Sequence, residues 1–283
     1  MRIGLLVHRE RPLAVELAGQ AATWLAERGG HAVLLDEDAR RIGRPELGAD
    51  PRTFPDGLDV LISLGGDGTM LRAIDIAFRG GVAVLGVNVG QMGYLTEVEP
   101  ADLDQALARL LAGEFEVDER MVLSVHVESA GPAGGDWFAL NEAVVEKSRT
   151  GHTARLEVSI NGRFFTTYAA DGLVIATPTG STAYSFSARG PIVSPRHRCL
   201  LLTPVSPHML FDRALVLDAD EELSLVVNGE LGAAMTVDGR ELGPLVTGDR
   251  VTCTAAASPA RVVSLAPRDF HQILKAKFGL ADR

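Results

Sequence analysis

Five consecutive residues, Gly65-Gly66-Asp67-Gly68-Thr69, follow an apolar run, Leu61-Ile62-Ser63-Leu64, and open a stretch with helical spacing. Glycines at a strand-to-helix turn let the backbone come close to an anion. The start of the helix adds unpaired amides and the positive end of its dipole. Asp67 stands in that turn, where a carboxylate could take a proton from an attacking hydroxyl or hold a metal ion. The simpler alternative is that Asp67 caps the helix. Three glycines around one acid in a strand-helix setting favour ligand chemistry over capping alone.

A second group is longer. Asp171-Gly172 leads an apolar run, residues 173–176, into Thr177-Pro178-Thr179-Gly180-Ser181-Thr182-Ala183-Tyr184-Ser185. The hydroxyls of Thr177, Thr179, Ser181, Thr182 and Ser185 could hydrogen-bond a ribose and a base edge, and Tyr184 offers a flat face for a nucleobase. Such a loop can also satisfy its own backbone, but a run of this length is read here as a ligand loop. Between the two groups, Gly86-Val87-Asn88-Val89-Gly90-Gln91-Met92-Gly93-Tyr94-Leu95-Thr96-Glu97 follows an apolar strand, as a ligand loop at a sheet's carboxyl edge would. Asn141-Glu142 sets an amide and an acid in an otherwise apolar run. The pair needs a ligand's hydroxyls or a structural hydrogen bond, and by itself it favours the structural partner.

These groups need elements to hold them. Residues 3–7, 31–35, 58–64 and 82–87 read as buried strands, and residues 13–28, 71–78 and 103–111 as helices. That alternation predicts an α/β N-terminal domain with a mostly parallel sheet covered on both faces. Residues 36–56 carry Pro45, Pro51, Pro55 and many charges, and are expected to form a surface loop. Beyond residue 116 the rhythm becomes extended runs at 117–127, 137–145, 155–160 and 163–168, with the turn signal Asn161-Gly162, and continues to 264. A β-rich, sandwich-like C-terminal domain follows. The expected organisation is an α/β nucleotide-binding domain over 1–118, a β-rich dinucleotide-binding domain over 119–260, and a C-terminal segment over 261–283, with a helix at 269–278.

With 283 residues and a net charge of -10, the chain lacks the basic character of a general nucleic-acid binder. The two cysteines, Cys199 and Cys253, lie far apart in apolar runs and indicate neither a disulfide framework nor a zinc site. No run approaches the roughly 18 apolar residues of a membrane span, so no membrane partner is expected and the cytoplasm is the expected location. His8, His126 and His197 are isolated in sequence, and Trp24 lies on the first helix; all four read as packing or surface residues.

In this order and spacing, Gly65-Gly66-Asp67-Gly68-Thr69, Asn88 with Gly90 and Gly93-Tyr94, Asn141-Glu142 and the run from Asp171 to Ser185 resemble the NAD kinase family, whose members use ATP or polyphosphate. Asp238-Gly239-Arg240 is similar to a short acidic motif of the same family. The first motif is shared with lipid kinases and partly with phosphofructokinases; the second is specific. The resemblance implies phosphoryl transfer from ATP to the adenosine ribose 2′-hydroxyl of NAD, giving NADP, with Asp67 as the general base. It further implies that Gly68, Asn141, Glu142, Asp171 and residues Thr182, Ala183, Tyr184, Ser185, Phe186 and Ser187 meet the dinucleotide. Arg72, His152, Ala169 and Arg240 stand where family members often touch ligand. Gly65, Gly66, Thr69, Asn88, Gly90, Gly93 and Tyr94 fall to the nucleotide and phosphate loops. The family fold, an α/β domain plus a β-sandwich-like domain with the chain's end returning to the first, and its assembly as dimers or tetramers are implied likewise.

Phosphoryl transfer asks for positioning, in-line geometry and neutralised phosphate oxygens more than covalent work. The sequence forms no all-protein metal cage, so Mg²⁺ or another divalent cation is expected to arrive with ATP; no Walker A signature is present. A lipid kinase would need an apolar cleft and a basic membrane-facing surface, which a chain this acidic does not show. A non-catalytic dinucleotide sensor would not need an intact Asp67 with its glycines. The sequence does not decide between ATP and polyphosphate, nor whether NADH is accepted.

Overall fold

Apolar runs of five or six residues become parallel strands only where both of their faces are covered. In the computed structural model, which describes residues 1–90, 93–267 and 269–280, β1 (Arg2–Val7), β2 (His31–Leu35), β3 (Gly48–Ala49), β4 (Val60–Gly65) and β5 (Ala83–Asn88) pair in parallel. β6 (Glu116–Arg120) lies in the same sheet. On one face, α1 (Pro12–Glu27) buries Ala14, Leu17, Ala18, Ala21, Ala22 and Leu25, the spacing of a helix stripe, after Pro12 has set its first turn. These residues share one core with Leu5, Val7, Ile62, Leu64 and Leu85, and with Leu103, Ala106, Leu107 and Leu110 of a later helix, Leu103–Ala112. The opposite face carries the helix Asp67–Phe78, which buries Met70, Ala73, Ile74 and Ala77. Gly86 makes that approach possible, because a Cβ there would lie 2.9 Å from Thr96 Cα and 3.2 Å from Met70 Sδ.

The stretch 36–56, expected as a surface loop, instead holds α2 (Asp36–Arg41), a 3-10 turn at Pro45–Leu47, and β3. Phe54 and Asp38 explain the difference. Phe54 is fully buried beside Gly4, and Asp38 is buried in an ion pair with Arg41 at 3.1 Å. The prolines read as loop markers stand at turn starts. With α2 placed, the helices described above are α3 (Asp67–Phe78) and α4 (Leu103–Ala112).

The second compact unit spans Arg120–Pro259 and contains two six-stranded sheets. Its strands are β7 (Leu123–Glu128), β8 (Gly135–Ala139), β9 (Glu142–Lys147), β10 (Ala154–Ile160), β11 (Arg163–Ala170) and β12 (Gly172–Ala176). They continue as β13 (Cys199–Val205), β14 (Leu215–Asp218), β15 (Leu223–Val227), β16 (Ala233–Val237), β17 (Arg240–Leu245) and β18 (Arg250–Ala255). One sheet runs β11-β10-β15-β18-β7-β8 and the other β14-β13-β12-β9-β16-β17. Their alternating inward residues meet in one core, Leu123, Leu156 and Leu225 against Leu173, Leu200 and Met235. The Asn161-Gly162 hairpin has φ of 53° and 71°, as its two-residue turn requires. The outer face of the second sheet, Val144, Val174 and Leu201, is covered by Val193 from the long β12–β13 connection. That connection holds a 3-10 turn, Thr179–Thr182, and α5 (Tyr184–Ser187).

Two runs read as single strands are broken. The run 117–127 ends one sheet in β6 and begins another in β7, and the run 137–145 is interrupted at Leu140 and Asn141, whose amides turn to a side chain. After the sandwich, β19 (Ala260–Ser264) enters the first sheet beside β5, giving the order β3-β2-β1-β4-β5-β19-β6. The first unit thus comprises Met1–Glu119 and Ala260–Arg283. Its last helix, α6 (Phe270–Phe278), is capped by Asp269, whose carboxylate accepts the amides of His271 and Gln272. The α/β plus antiparallel-sandwich class expected from the sequence is the one observed. Among the described residues, no helix is long and apolar enough to cross a membrane.

Candidate functional site

From β1 the chain moves outward to β2 and β3, then returns to place β4 on the other side of β1. At such a switch point the loops leaving the two strands diverge and open a crevice at their carboxyl ends. A cavity of about 710 Å³ lies there, lined by His8, Arg9, Glu10 and Arg11 after β1 and by Gly66, Asp67, Gly68 and Thr69 after β4. Arg72, one turn into α3, and Gly93 complete it.

Asp67 is the first residue of α3, but its side chain does not cap the helix. Its Oδ2 accepts the Tyr94 amide at 2.8 Å and its Oδ1 the Leu95 amide at 3.0 Å. Gly93 is fixed by that approach, since a Cβ would sit 2.0 Å from Asp67 Oδ1. Gly66 and Gly68 differ. A Cβ on either meets nothing within 4 Å, and neither has a positive φ. Packing and conformation leave these two positions open, and an unhindered backbone beside a helix N-terminus suits close approach by an anion.

Of the cations of the cavity, Arg72 is among the ligand positions that the family resemblance implies, whereas Arg9 and Arg11 were not read as site residues from the sequence. Arg72 is half-buried; desolvation pulls its pKa down, the charge of Arg9 adds to this, and Asp38 and Glu37 oppose it. The Arg11 guanidinium lies against Gly90, which has a φ of 130° and no room for a Cβ. His8, read as an isolated histidine, lines the same cavity. The available signal was a cluster of charged residues directly after a buried strand and before Pro12. Asn88 ends β5 buried, donating to Glu99 Oε1 at 3.0 Å, and its own Oδ1 has no hydrogen-bond partner among the described residues. Tyr94 carries Lys277 Nζ 4.0 Å from its ring centre, and burial, with the charge of Asp67 adding, raises its hydroxyl pKa. Gln91 and Met92 lie outside the described residues.

In the second unit the organising group is Asp238, in the turn between β16 and β17 with a φ of 47°. Its carboxylate accepts the amides of Leu140 at 2.7 Å, Asn141 at 2.8 Å and Glu142 at 3.0 Å. Asp238 thus serves the backbone of Asn141 and Glu142 and not the side-chain pair, and Glu142 Oε2 is buried with no hydrogen-bond partner among the described residues. The β12 connection packs against the same peptide. Thr177 donates its amide to Asn141 O at 2.9 Å and its hydroxyl to Leu140 O, and Gly180 must be glycine because a Cβ would lie 2.1 Å from Asn141 O.

Four of the five hydroxyls expected to face a ligand are tied to the protein instead. Thr177 is one; Ser181 bridges to Val193 at 3.0 and 3.1 Å; and Ser185, fully buried, pairs with Thr203 at 2.9 Å. Thr182 bonds Thr179 O at 3.3 Å. Tyr184 and Phe186 remain 37% exposed, while Ala183 and Ser187 flank them at the ends of the short helix. Glu142, Glu146 and Asp171 all lie near enough to Tyr184 to raise its pKa beyond what burial does. Asp171 is held by Lys147 at 2.6 Å, and Arg240 stacks 5.1 Å from the centre of the Trp137 ring. His152 lies in the β9–β10 connection and lines a different depression, with Thr167 and Asn228, while Ala169 on β11 accepts the His208 amide.

Glu142 is 8% exposed, and burial pushes its carboxyl up to about 8; the charge of Asp238 adds to this, and the Tyr184 amide opposes it. Because the folded pKa exceeds the ordinary 4.5, the folded state holds an extra proton between pH 4.5 and about 8. The associated stability is complete below that window and is lost as pH rises through it. Glu142→Gln is therefore expected to match the parent at about pH 5 and to exceed it by a few kcal/mol at about pH 9. Urea unfolding at the two pH values checks this; a parallel pH slope in the variant would contradict it.

Comparison with known proteins bears on the family and the fold. The family models for the ATP-NAD kinase N-terminal and C-terminal domains match residues 3–115 and 140–265. An NAD kinase of Heliobacterium modesticaldum is 40% identical over 277 residues, covering 97% of each chain. One from Symbiobacterium thermophilum is 41% identical over 280 residues, covering 98% of each. In fold, the chain is similar to a yeast NADH kinase solved with NADH (TM-score 0.92, 23% identity, 100% of this chain and 89% of that one). It is likewise similar to an Archaeoglobus fulgidus NAD kinase solved with ATP (TM-score 0.75, 23% identity, 99% and 98%). With two domain matches in order and relatives of this identity along almost the whole length, the chain belongs to the NAD kinase family.

Proposed function

We propose that Asp67 is the general base of this enzyme, which phosphorylates NAD to NADP with ATP as the donor. The observation that carries the assignment is Asp67 itself, a carboxylate held by two backbone amides in a cavity lined with arginines and open glycines. An ionised carboxylate has about four acceptor positions, so two remain for a substrate hydroxyl. As the adenosine ribose 2′-oxygen bonds the γ-phosphorus, its proton passes to Asp67 and the bond from phosphorus to the ADP oxygen breaks. Gly65, Gly66, Gly68 and Thr69 at the α3 N-terminus, with Asn88, Gly90, Gly93 and Tyr94, form the nucleotide and phosphate loops of this reading. Arg9, Arg11 and Arg72 supply positive charge toward the transferring phosphoryl group.

The dinucleotide is assigned to Asn141, Glu142, Asp171, residues 182–187 and Arg240, with His152 and Ala169 as outer members. The tied hydroxyls shift the emphasis within that set toward the exposed ring of Tyr184 and the acids around it. Tyr184→Ala is expected to weaken NAD binding by about 1–3 kcal/mol through loss of a stacking face, and Tyr184→Phe by much less. Equal losses by calorimetric titration would assign the work to the hydroxyl.

A divalent cation, Mg²⁺ in the first instance, would come with the triphosphate and shield its oxygens. Among the described residues no three His, Cys, Asp or Glu side chains are grouped to hold an ion. The reading further includes an α/β nucleotide domain over 1–118 completed by 261–283, a dinucleotide domain over 119–260, a cytoplasmic location and a homodimer or homotetramer. The test is the NAD dependence of ADP release. ADP formed one for one with consumed NAD supports transfer, and ADP formed at the same rate without NAD would reduce the cavity to an ATPase site.

A further inference from the structure

Asp67 is held by a loop, and that loop is itself held. Glu97 closes the sequence motif that began at Gly86, and the proposed reaction gives it no part. Its Oε1 accepts two amides from the far end of the chain, Leu265 N and Ala266 N, both at 3.0 Å. These residues directly follow β19. The Glu97 and Val98 amides donate to Gly86 O at 2.9 and 3.1 Å, anchoring the loop to β5. Three and two residues before Glu97, the same loop presents the Tyr94 and Leu95 amides to the two oxygens of Asp67. A second tie comes from α6, whose Lys277 lies over the Tyr94 ring.

We propose that Glu97 is a positioning residue for the transfer step. By clamping the segment after β19 to the loop at residues 93–97, it fixes the two amides that set the direction of the Asp67 carboxylate. One acceptor oxygen shared by two amides holds both peptide planes in a single orientation, which a lone amide contact would not do. The consequence falls on rate, because a base displaced by about 1 Å loses hydrogen-bond reach to the attacking hydroxyl while the rest of the cavity still binds substrate. Glu97 touches neither substrate nor the reacting atoms in this account.

The inference rests on Asp67 being the base, and the experiment separates the two claims. Turnover and KM for NAD and ATP are measured on the full chain for Glu97→Ala and Glu97→Gln, each alone and combined with Asp67→Asn. Glu97→Ala is expected to lower kcat by about tenfold or more with both KM values within about threefold. Glu97→Gln keeps a carbonyl oxygen for the two amides and should stay within about threefold of the parent. Combined with Asp67→Asn, the alanine change should alter kcat by less than about twofold, since no base is left to aim. An equal fold-loss in both backgrounds, a rise in KM with kcat kept, or a glutamine variant no better than alanine would overturn the positioning role. Near-parental turnover in Asp67→Asn alone would overturn the base and the positioning together. Should Glu97→Ala not fold, Glu97→Asp, which withdraws the oxygens by one methylene, carries the same comparison.

Discussion

Asp67→Asn is expected to lower turnover by roughly 10²–10⁴, the usual worth of a positioned proton acceptor. Sequence alone, taking Asp67 as a possible helix cap, would expect stability to be kept, because Asn caps equally well. The structure changes that expectation. Both carboxylate oxygens accept a backbone amide, from Tyr94 and from Leu95, so an Asn side chain brings an N–H group against one of two N–H donors. A stability loss of about 1–2 kcal/mol should accompany the loss of rate, toward the lower end of the cost of an unmet donor because the site is partly open. Rate, NAD affinity and unfolding are therefore measured together, well below the midpoint of unfolding. Turnover near that of the parent in a folded variant would remove the general base from the mechanism.

Asp238→Ala should destabilise the second unit by about 3–5 kcal/mol. Three amides, at Leu140, Asn141 and Glu142, lose their acceptor at once, each worth about 1–3 kcal/mol before the loop relaxes. Removing the negative charge beside Glu142 returns part of this, because that charge is one cause of its raised pKa. Urea unfolding of the parent and the variant at one pH measures the difference, and a loss below about 1 kcal/mol would mean that water or other groups replace the carboxylate. The same loop packs on Thr177 and Gly180, so NAD affinity should fall along with stability.

The alternation of apolar runs and helical stripes was enough to read the parallel sheet and the sandwich, because burial on two faces and on one face leave different periods in sequence. The stretch 36–56 misled because Phe54 and Asp38, which organise it, are single residues without periodicity, set among prolines and charges that usually mark loops. The breaks at Met121 and at Leu140 were hidden for a related reason. A strand that stops to give its amides to a distant Asp238 carries no local signal. In the candidate sites, Asp67 and its glycines were legible because a strand-to-helix turn is local. His8, Arg9 and Arg11 were not, because only the return of β4 to the side of β1 brings their loop into the same crevice. The hydroxyl run of residues 177–185 was legible as a loop but not as a self-bonded one. Whether a Ser faces outward or toward Thr203 depends on a strand eighteen residues away.

The most direct test of the account is the formation of NADP by the purified chain from NAD, ATP and Mg²⁺, followed with an NADP-specific dehydrogenase. The account predicts NADP accumulating in step with ADP, at a rate that falls by at least about a hundredfold in Asp67→Asn. No NADP from the folded parent chain, or NADP formed equally fast with and without the Asp67 carboxylate, would contradict it.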